Sequence, residues 1–560
     1  MIIPKIPLAQ TVILLCKAKG IKHIVISPGS RNAPLIIGFT NDSFFTCYSI
    51  VDERCAGFFA LGIAQQVKSP VALVCTSGSA LLNYFPAVAE AYYSDIPLVV
   101  LSADRPKHLL GIGDGQTIDQ DNVYGNHVLH SSNLKVDIDE DGQSVQEANE
   151  MDLNEALNTA IVSSGPVHIN CPFEEPLYET IEEYTIKPSI YGANKVQNDL
   201  HAEDMSELIS TWNSVKRKMV LVGVNYPNRI QQDVLDALAK DDSVIVFTET
   251  TSNLHHEAFF PSIDKIIAPL DDEGFKKLQP DILVTLGGMV VSKKIKAFLR
   301  KHQPKHHWHI DEKKANDTFF CLDRHLQQCP NDVLSKILTR AEKVNSNYKE
   351  YWTDVKKHRV KKHEDYLKEI SFSDFAVFSD VLRYIPQKRT LHLGNSSTIR
   401  YTQLFNLNET LNVFCNRGTS GIDGSTSTAI GAAVVSQVQN VLITGDLSFF
   451  YDSNALWNNY VPNNFRIIVI NNGGGGIFRI LPGQKDSENF DQYFETTHNL
   501  NAQELCNMYG IEYQSASDQT DLESSLNGFY SESKKPKLLE IFTIRTMNDK
   551  VLLDYFEYIR

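Results

Sequence analysis

The chain has 560 residues, 42% hydrophobic and 22% charged, an ordinary balance for a globular protein of about three or four domains. Its 53 Lys and Arg against 68 Asp and Glu leave a net charge of −15, which argues against a nucleic-acid binder, because phosphate backbones demand a basic surface. The 9 cysteines are scattered without a C-x-x-C pair and read as reduced thiols of a cytoplasmic protein; no apolar run nears the ~20 residues of a membrane span.

Taken in chain order, "PLAQTVILLCKAKG" from Pro7 predicts an amphipathic helix stopped by Gly20. Short runs rich in Val, Ile and Leu follow at 23–27, 71–75, 97–103, 219–223, 243–247, 282–287, 441–446 and 466–471. Such runs predict strands buried on both faces, and the helical stretches between them predict doubly wound parallel α/β sheets. The glycines of "GIGDG" (111–115) fall in a loop with no strand directly before them, so they do not fit a dinucleotide fingerprint. "KHHWHID" (305–311) reads as the end of a strand rather than a metal site. Two stretches read as linkers, the polar 181–200 and the densely charged 341–370, the latter as a solvated helix. They divide the chain into expected domains 1–180, 200–340 and 371–560.

A long-period repeat links the first and third of these. Shifted by 369 positions, 60–65 lies over 429–434, 71–79 over 440–448, and 97–104 over 466–473. Three blocks in one register predict that the two domains share one fold by duplication.

The third-domain copy carries the chemistry. Gly445 and Asp446 end one buried run, and Asn471 and Asn472 end the next, ahead of the glycines 473–476. One strand–helix–strand unit places Asp446 and Asn472 at the same carboxyl edge, where open α/β sheets bind ligands. The Asp446 carboxylate, the Asn472 side-chain carbonyl and the Gly474 main-chain carbonyl would form half an octahedron for Mg²⁺ or Mn²⁺. Glycine N–H groups and a helix N-terminus would meet phosphates. No Gly-Lys-Ser/Thr follows, so this is not a nucleotide P-loop.

"GDLSFFYDSNALW" followed by "NNGGGGIF" resembles the Gly-Asp…Asn motif of thiamine diphosphate enzymes, with Leu447 in place of the usual second glycine. "SPGSRNAPL" (27–35), "SADRP" (102–106), "QTIDQ" (116–120), "GNSSTIR" (394–400), "NRGTSGIDGSTSTAIG" (416–431) and "GGIFRILP" (475–482) narrow the resemblance. Together they look like the SEPHCHC synthase family of menaquinone biosynthesis. The resemblance implies three doubly wound domains: pyrimidine-binding 1–180, central 200–340 and diphosphate-binding 371–560. It implies thiamine diphosphate with Mg²⁺ or Mn²⁺, the metal held by Asp446, Asn472 and Gly474. Glu53, Ile422, Gly445, Asp446, Leu447, Ser448, Asn472, Gly474, Gly475 and Ile477 would contact the cofactor.

In the same family pattern Glu53 hydrogen-bonds the aminopyrimidine and favours the tautomer that takes the thiazolium proton. Ser30, Arg31 and Gln116 match positions near the reacting substrate. Arg105, Lys293, Lys294, Ser396, Arg400, Arg417 and Phe478 match substrate-binding positions, although the family form of the 293–294 pair is Lys-Arg. Guanidinium forks bind carboxylates bidentately, which suits the dicarboxylates 2-oxoglutarate and isochorismate. The implied reaction decarboxylates 2-oxoglutarate and adds the succinyl unit 1,4 to isochorismate, at sites between subunits of a homodimer or homotetramer. Two rival readings stand beside it. Another thiamine diphosphate-dependent 2-oxoacid decarboxylase or carboligase would not need the arginine set. A non-catalytic scaffold would not need both Glu53 and the Asp446/Asn472 pair.

Overall fold

The computed structural model describes residues 2–136, 142–193, 202–481 and 487–560. The last part of the first expected linker, 194–200, and Pro482 of the "GGIFRILP" stretch lie outside the described residues.

Strand β1 (Ile3–Pro4) opens the chain. Strands β2 (His23–Ile26), β3 (Thr46–Ser49), β4 (Val71–Cys75), β5 (Leu98–Asp104), β6 (His130–Asn133) and β7 (Val167–Pro172) form a parallel sheet ordered β3-β2-β4-β5-β7-β6. Strand β8 (Thr180–Ile181) returns antiparallel to β1. The middle of the chain holds β9 (Lys218–Val222), β10 (Val244–Phe247), β11 (Ile282–Leu286), β12 (His306–Ile310) and β13 (Arg324–Leu326), ordered β10-β9-β11-β12-β13 and all parallel. The last sheet holds β14 (Thr390–Leu393), β15 (Asn412–Phe414), β16 (Asn440–Gly445), β17 (Arg466–Asn471), β18 (Glu512–Ala516) and β19 (Lys537–Phe542), ordered β15-β14-β16-β17-β19-β18.

The first and third sheets therefore repeat one topology strand for strand, as the 369-residue register predicts. Every residue of β4, β5 and β17 is buried, because helices cover both faces. The histidine-rich stretch is the buried strand β12, where His307 Nε2 and His309 Nδ1 both meet Thr285 Oγ1, at 2.9 and 2.8 Å. Among the described residues no helix is long and apolar enough to cross a membrane.

The two copies are joined by the helices that the repeat aligns, Glu53–Val67 and Ser425–Val434. Their backbones touch. A Cβ at Gly62 would lie 2.0 Å from Thr428 O, and one at Gly431 would lie 2.0 Å from Phe59 O. Arg54 donates to Asp423 O at the starts of the two helices, so both run in the same direction. Asp452, fully buried, accepts from Ser427 N (2.7 Å), Ser427 Oγ (2.8 Å) and Arg54 Nη1 (3.2 Å).

The charged 341–370 stretch is helical, over Tyr348–Glu369, but one of its faces docks instead of being solvated all round. His363 Nδ1 lies 2.8 Å from Tyr555 Oη, and Tyr366 Oη donates to Val551 O at 2.6 Å, so the helix packs on the C-terminal helix Arg545–Tyr558. Buried Trp352, His363 and Tyr366 are spread too thinly among its lysines for the pattern to show.

Gly62→Ala or Gly431→Ala is expected to destabilise the protein by about 1–3 kcal/mol, since the obstacle is rigid main chain. Thermal unfolding followed by circular dichroism measures it; an unchanged Tm in both variants would mean that the helices do not meet through these faces.

Candidate active site

Strands β16 and β17 end side by side, with Gly445 level with Ile470. Asp446 follows directly and opens the helix Asp446–Tyr451; it is 3% exposed. Its Oδ1 accepts from Leu447 N at 2.7 Å, and its Oδ2 from Gly473 N at 2.8 Å and Gly474 N at 3.0 Å. His498 Nε2 lies 3.3 Å from the same Oδ2. The turn needs glycine: Gly473 has φ +76°, Gly474 has φ +155°, and a Cβ on Gly474 would lie 2.7 Å from Glu495 O. Gly475 N donates to Glu495 O at 2.6 Å, and His498 N to Gly473 O at 3.1 Å, so the 495–498 segment backs the turn. Glu495 is itself held by Arg479.

The donor set fits a hard divalent cation. Asn472 Oδ1 is buried without a hydrogen-bond partner, while Asn472 Nδ2 donates to Asp374 Oδ2 at 3.0 Å. The Gly474 carbonyl accepts from Gly476 N at 3.0 Å and keeps a second lone pair. Among the described residues no three His, Cys, Asp or Glu side chains converge on a point; the expected set mixes one carboxylate with an amide and a main-chain carbonyl. Ser448 Oγ donates to Ile422 O at 2.9 Å, which ties the clamp to the loop carrying Ile422. Ile477 and Phe478 start the short helix Ile477–Ile480, with Phe478 partly exposed and edge-on to Phe494.

A second cluster sits at the carboxyl ends of β4 and β5. Arg105 donates to Ser77 Oγ at 2.9 Å, to Gln116 O at 3.0 Å and to Asp114 Oδ2 at 2.6 Å. Gln116, at φ +57°, donates through Nε2 to Ser77 O at 3.2 Å. Beneath them, burial raises the pKa of Asp104, whose Oδ2 accepts from Asn170 Nδ2 at 2.9 Å. Arg31 is buried beside the same sheet, donating to Phe173 O at 3.1 Å and Glu175 Oε1 at 3.2 Å; Ser30 next to it is exposed.

The third cluster lies between the middle and last sheets. Ser396, at φ +67°, precedes the helix Ser397–Thr402 that carries Arg400. Arg417 donates to Asn395 Oδ1 at 2.7 Å, and the buried Nε atoms of Arg400 and Arg417 have no partner. Burial, and then Arg417, lowers the pKa of Arg400. Facing them, burial pushes Glu249 up to about 7, although it accepts from Val291 N (2.7 Å) and Ser292 N (2.8 Å). Lys293 and Lys294 are exposed at the start of the helix Lys293–Lys301, and Lys294 Nζ stands 5.1 Å over the Phe556 ring. Lys296, one turn on, is half-buried; burial and then Arg417 lower its pKa.

Glu53 starts its helix behind the Asp52 cap, and its Oε2 accepts from Asn83 Nδ2 at 3.2 Å. Its neighbour Arg54 pairs with Asp452. Asp52, on its other side, accepts from Asn454 Nδ2 at 2.9 Å. Sequence motifs miss Asp374, Glu90, Glu249 and His498, because each sits far along the chain from what it contacts, and they pass over Lys296, just beyond the 293–294 pair.

Residues 6–123 match the family model described as thiamine pyrophosphate enzyme, N-terminal TPP binding domain. Residues 394–541 match thiamine pyrophosphate enzyme, C-terminal TPP binding domain. A 2-succinyl-5-enolpyruvyl-6-hydroxy-3-cyclohexene-1-carboxylate (SEPHCHC) synthase of Christiangramia forsetii is 56% identical, covering 99% of each chain. One of Flavobacterium psychrophilum is 55% identical, covering 100% of each. The chain belongs to the SEPHCHC synthase family. It is a thiamine diphosphate-dependent enzyme that forms carbon–carbon bonds in menaquinone biosynthesis. A Rhodococcus jostii thiamine diphosphate-dependent 4-hydroxybenzoylformate decarboxylase shares its fold, with a TM-score of 0.69 at 17% identity over 96% of this chain and 99% of that one.

In this synthase-family chain the Arg417 loop is held from the first sheet's side. Glu90, 1% exposed, accepts from Gly418 N (2.7 Å), Thr419 N (2.6 Å) and Thr419 Oγ1 (2.8 Å). Glu90→Ala strands two main-chain donors, each costing about 1–3 kcal/mol when left unpaired in the interior. The expected result is a lower Tm and a raised KM for a carboxylate substrate; steady-state kinetics with a wild-type KM would show that the loop holds its place without Glu90.

Proposed function

We propose that the three clusters carry out the family's reaction: decarboxylation of 2-oxoglutarate and 1,4-addition of the succinyl unit to isochorismate, releasing CO₂. The observation that carries this reading is the strand-end clamp, where the Asn472 Oδ1 orphan stands beside the Asp446 carboxylate and a turn that only glycine can follow. Asp446, Asn472 and the Gly474 carbonyl hold Mg²⁺ or Mn²⁺. Gly445, Leu447, Ser448, Gly475 and Ile477 would line the diphosphate, and Ile422 would support the cofactor. Bound thiamine diphosphate supplies the nucleophilic carbon and the electron sink for decarboxylation.

The chain's own residues supply orientation and proton handling. The Glu53 carboxyl hydrogen-bonds the cofactor's aminopyrimidine and exchanges a proton there. Arg31, Arg105, Arg400 and Arg417 receive substrate carboxylates as planar forks, with Lys293 and Lys294 adding positive charge. Ser30, Gln116 and Ser396 orient the reacting groups, and Phe478 walls the site from water. The unpartnered Nε atoms of Arg400 and Arg417 support this role, since a bound carboxylate would satisfy them. The domains are pyrimidine-binding 1–180, central 200–340 and diphosphate-binding 371–560. The active unit is a homodimer or homotetramer in the cytoplasm, each site completed by a second chain.

Incubating the enzyme with Mg²⁺, thiamine diphosphate and 2-oxoglutarate, then adding isochorismate, tests the reading. Isochorismate should be consumed in step with CO₂ release; CO₂ without isochorismate loss would favour a simple 2-oxoacid decarboxylase. Glu53→Gln should retain cofactor binding by calorimetry while turnover falls about 10²–10⁴-fold. Full turnover in that variant would remove Glu53 from the mechanism.

A further inference from the structure

Asp374 belongs to none of the motifs. It starts the helix Asp374–Tyr384, 98 positions before Asn472, and is 2% exposed. Its two oxygens divide their work: Oδ1 accepts from Thr543 Oγ1 at 2.6 Å, and Oδ2 accepts from Asn472 Nδ2 at 3.0 Å. Asn548 braces the group, accepting from Asp374 N at 2.9 Å through Oδ1 and donating to Thr543 Oγ1 at 3.1 Å through Nδ2. Among the side-chain nitrogen and oxygen atoms of these four residues, one is buried without a hydrogen-bond partner. That atom is Asn472 Oδ1.

A carboxylate can only accept, so it selects the NH₂ end of the Asn472 carboxamide and turns the oxygen the other way. Without that selection the two ends of an amide are nearly isosteric, and a flip would set N–H dipoles toward the cation. We propose that Asp374 is a positioning residue of the metal site, fixing the Asn472 carboxamide so that Oδ1 faces the divalent cation that accompanies thiamine diphosphate. The proposal rests on the clamp reading above. Groups that orient a metal's ligands from behind are worth about 10–100-fold in metal affinity.

The test titrates Mn²⁺ into the full-length protein with saturating thiamine diphosphate and reads free Mn²⁺ by electron paramagnetic resonance. Asp374→Leu, which offers no acceptor, should weaken Mn²⁺ binding about 10–100-fold. Asp374→Asn keeps the shape but offers an acceptor and a donor alike, so it should weaken binding by about tenfold, the lower end of that range. Its activity should climb toward the wild-type value as Mn²⁺ is raised, a split that general loss of folding would not give. Wild-type Mn²⁺ affinity in folded Asp374→Leu overturns the proposal; if that variant does not fold, wild-type affinity in Asp374→Asn overturns it. Asn472→Leu separates the two ideas: if it too binds Mn²⁺ normally, the clamp itself is misassigned. If it loses Mn²⁺ while the Asp374 variants do not, only the positioning role falls.

Discussion

Gly62 and Gly431 let two helix backbones touch, and most of the architecture follows from that contact. Side chains at either position would force the helices apart by the width of a methyl group, because Thr428 O and Phe59 O are main chain and cannot swing aside. Their contact brings the first and third sheets together with both helix starts at one end. Glu53 and the loop bearing Ile422 and Asp423 therefore open from the same region of the molecule. The buried Asp452 then locks the pair, since its carboxyl is shared by Ser427 of one helix and Arg54 of the other.

The middle sheet sets a buried carboxylate, Glu249, beside the arginine cluster. Glu249 spends both oxygens on the main chain at Val291 and Ser292, which fixes the turn leading into the helix Lys293–Lys301. That turn faces Arg400 and Arg417 across the domain boundary. Glu249 and Glu90, which both approach the arginine cluster, are committed to main-chain N–H groups.

The parallel strands were legible in the sequence because burial on both faces writes itself as an unbroken apolar run: "VALVC" is β4 residue for residue, and "RIIVIN" is β17. The edge strands β3, β6 and β18 escape that rule, since "TCYS", "HSSN" and "EYQSA" mix polar residues on a half-exposed edge. Asp446 and Asn472 were legible because one strand–helix–strand unit separates them. Asp374, Thr543 and Asn548 were not, since their meeting depends on how three distant segments fold together. Arg31 shows the limit differently: its motif located it, but nothing nearby foretold that Phe173 and Glu175 would hold its guanidinium.

The two strand-end turns also answer one another across the duplication. Ser77 and Asp446 are the same position in the two copies, and so are Arg105 and Gly474, each 369 residues apart. In the first copy a hydroxyl accepts from a guanidinium at 2.9 Å; in the other a carboxylate accepts from a bare peptide N–H at 3.0 Å. Donor and acceptor keep their positions in the turn, while the charge moves from the donor in the first copy to the acceptor in the other. The earlier turn carries a guanidinium already paired with Asp114, whereas the later carries a carboxylate held by two glycine N–H groups. One turn shape thus holds a positive group in one copy and a negative group in the other.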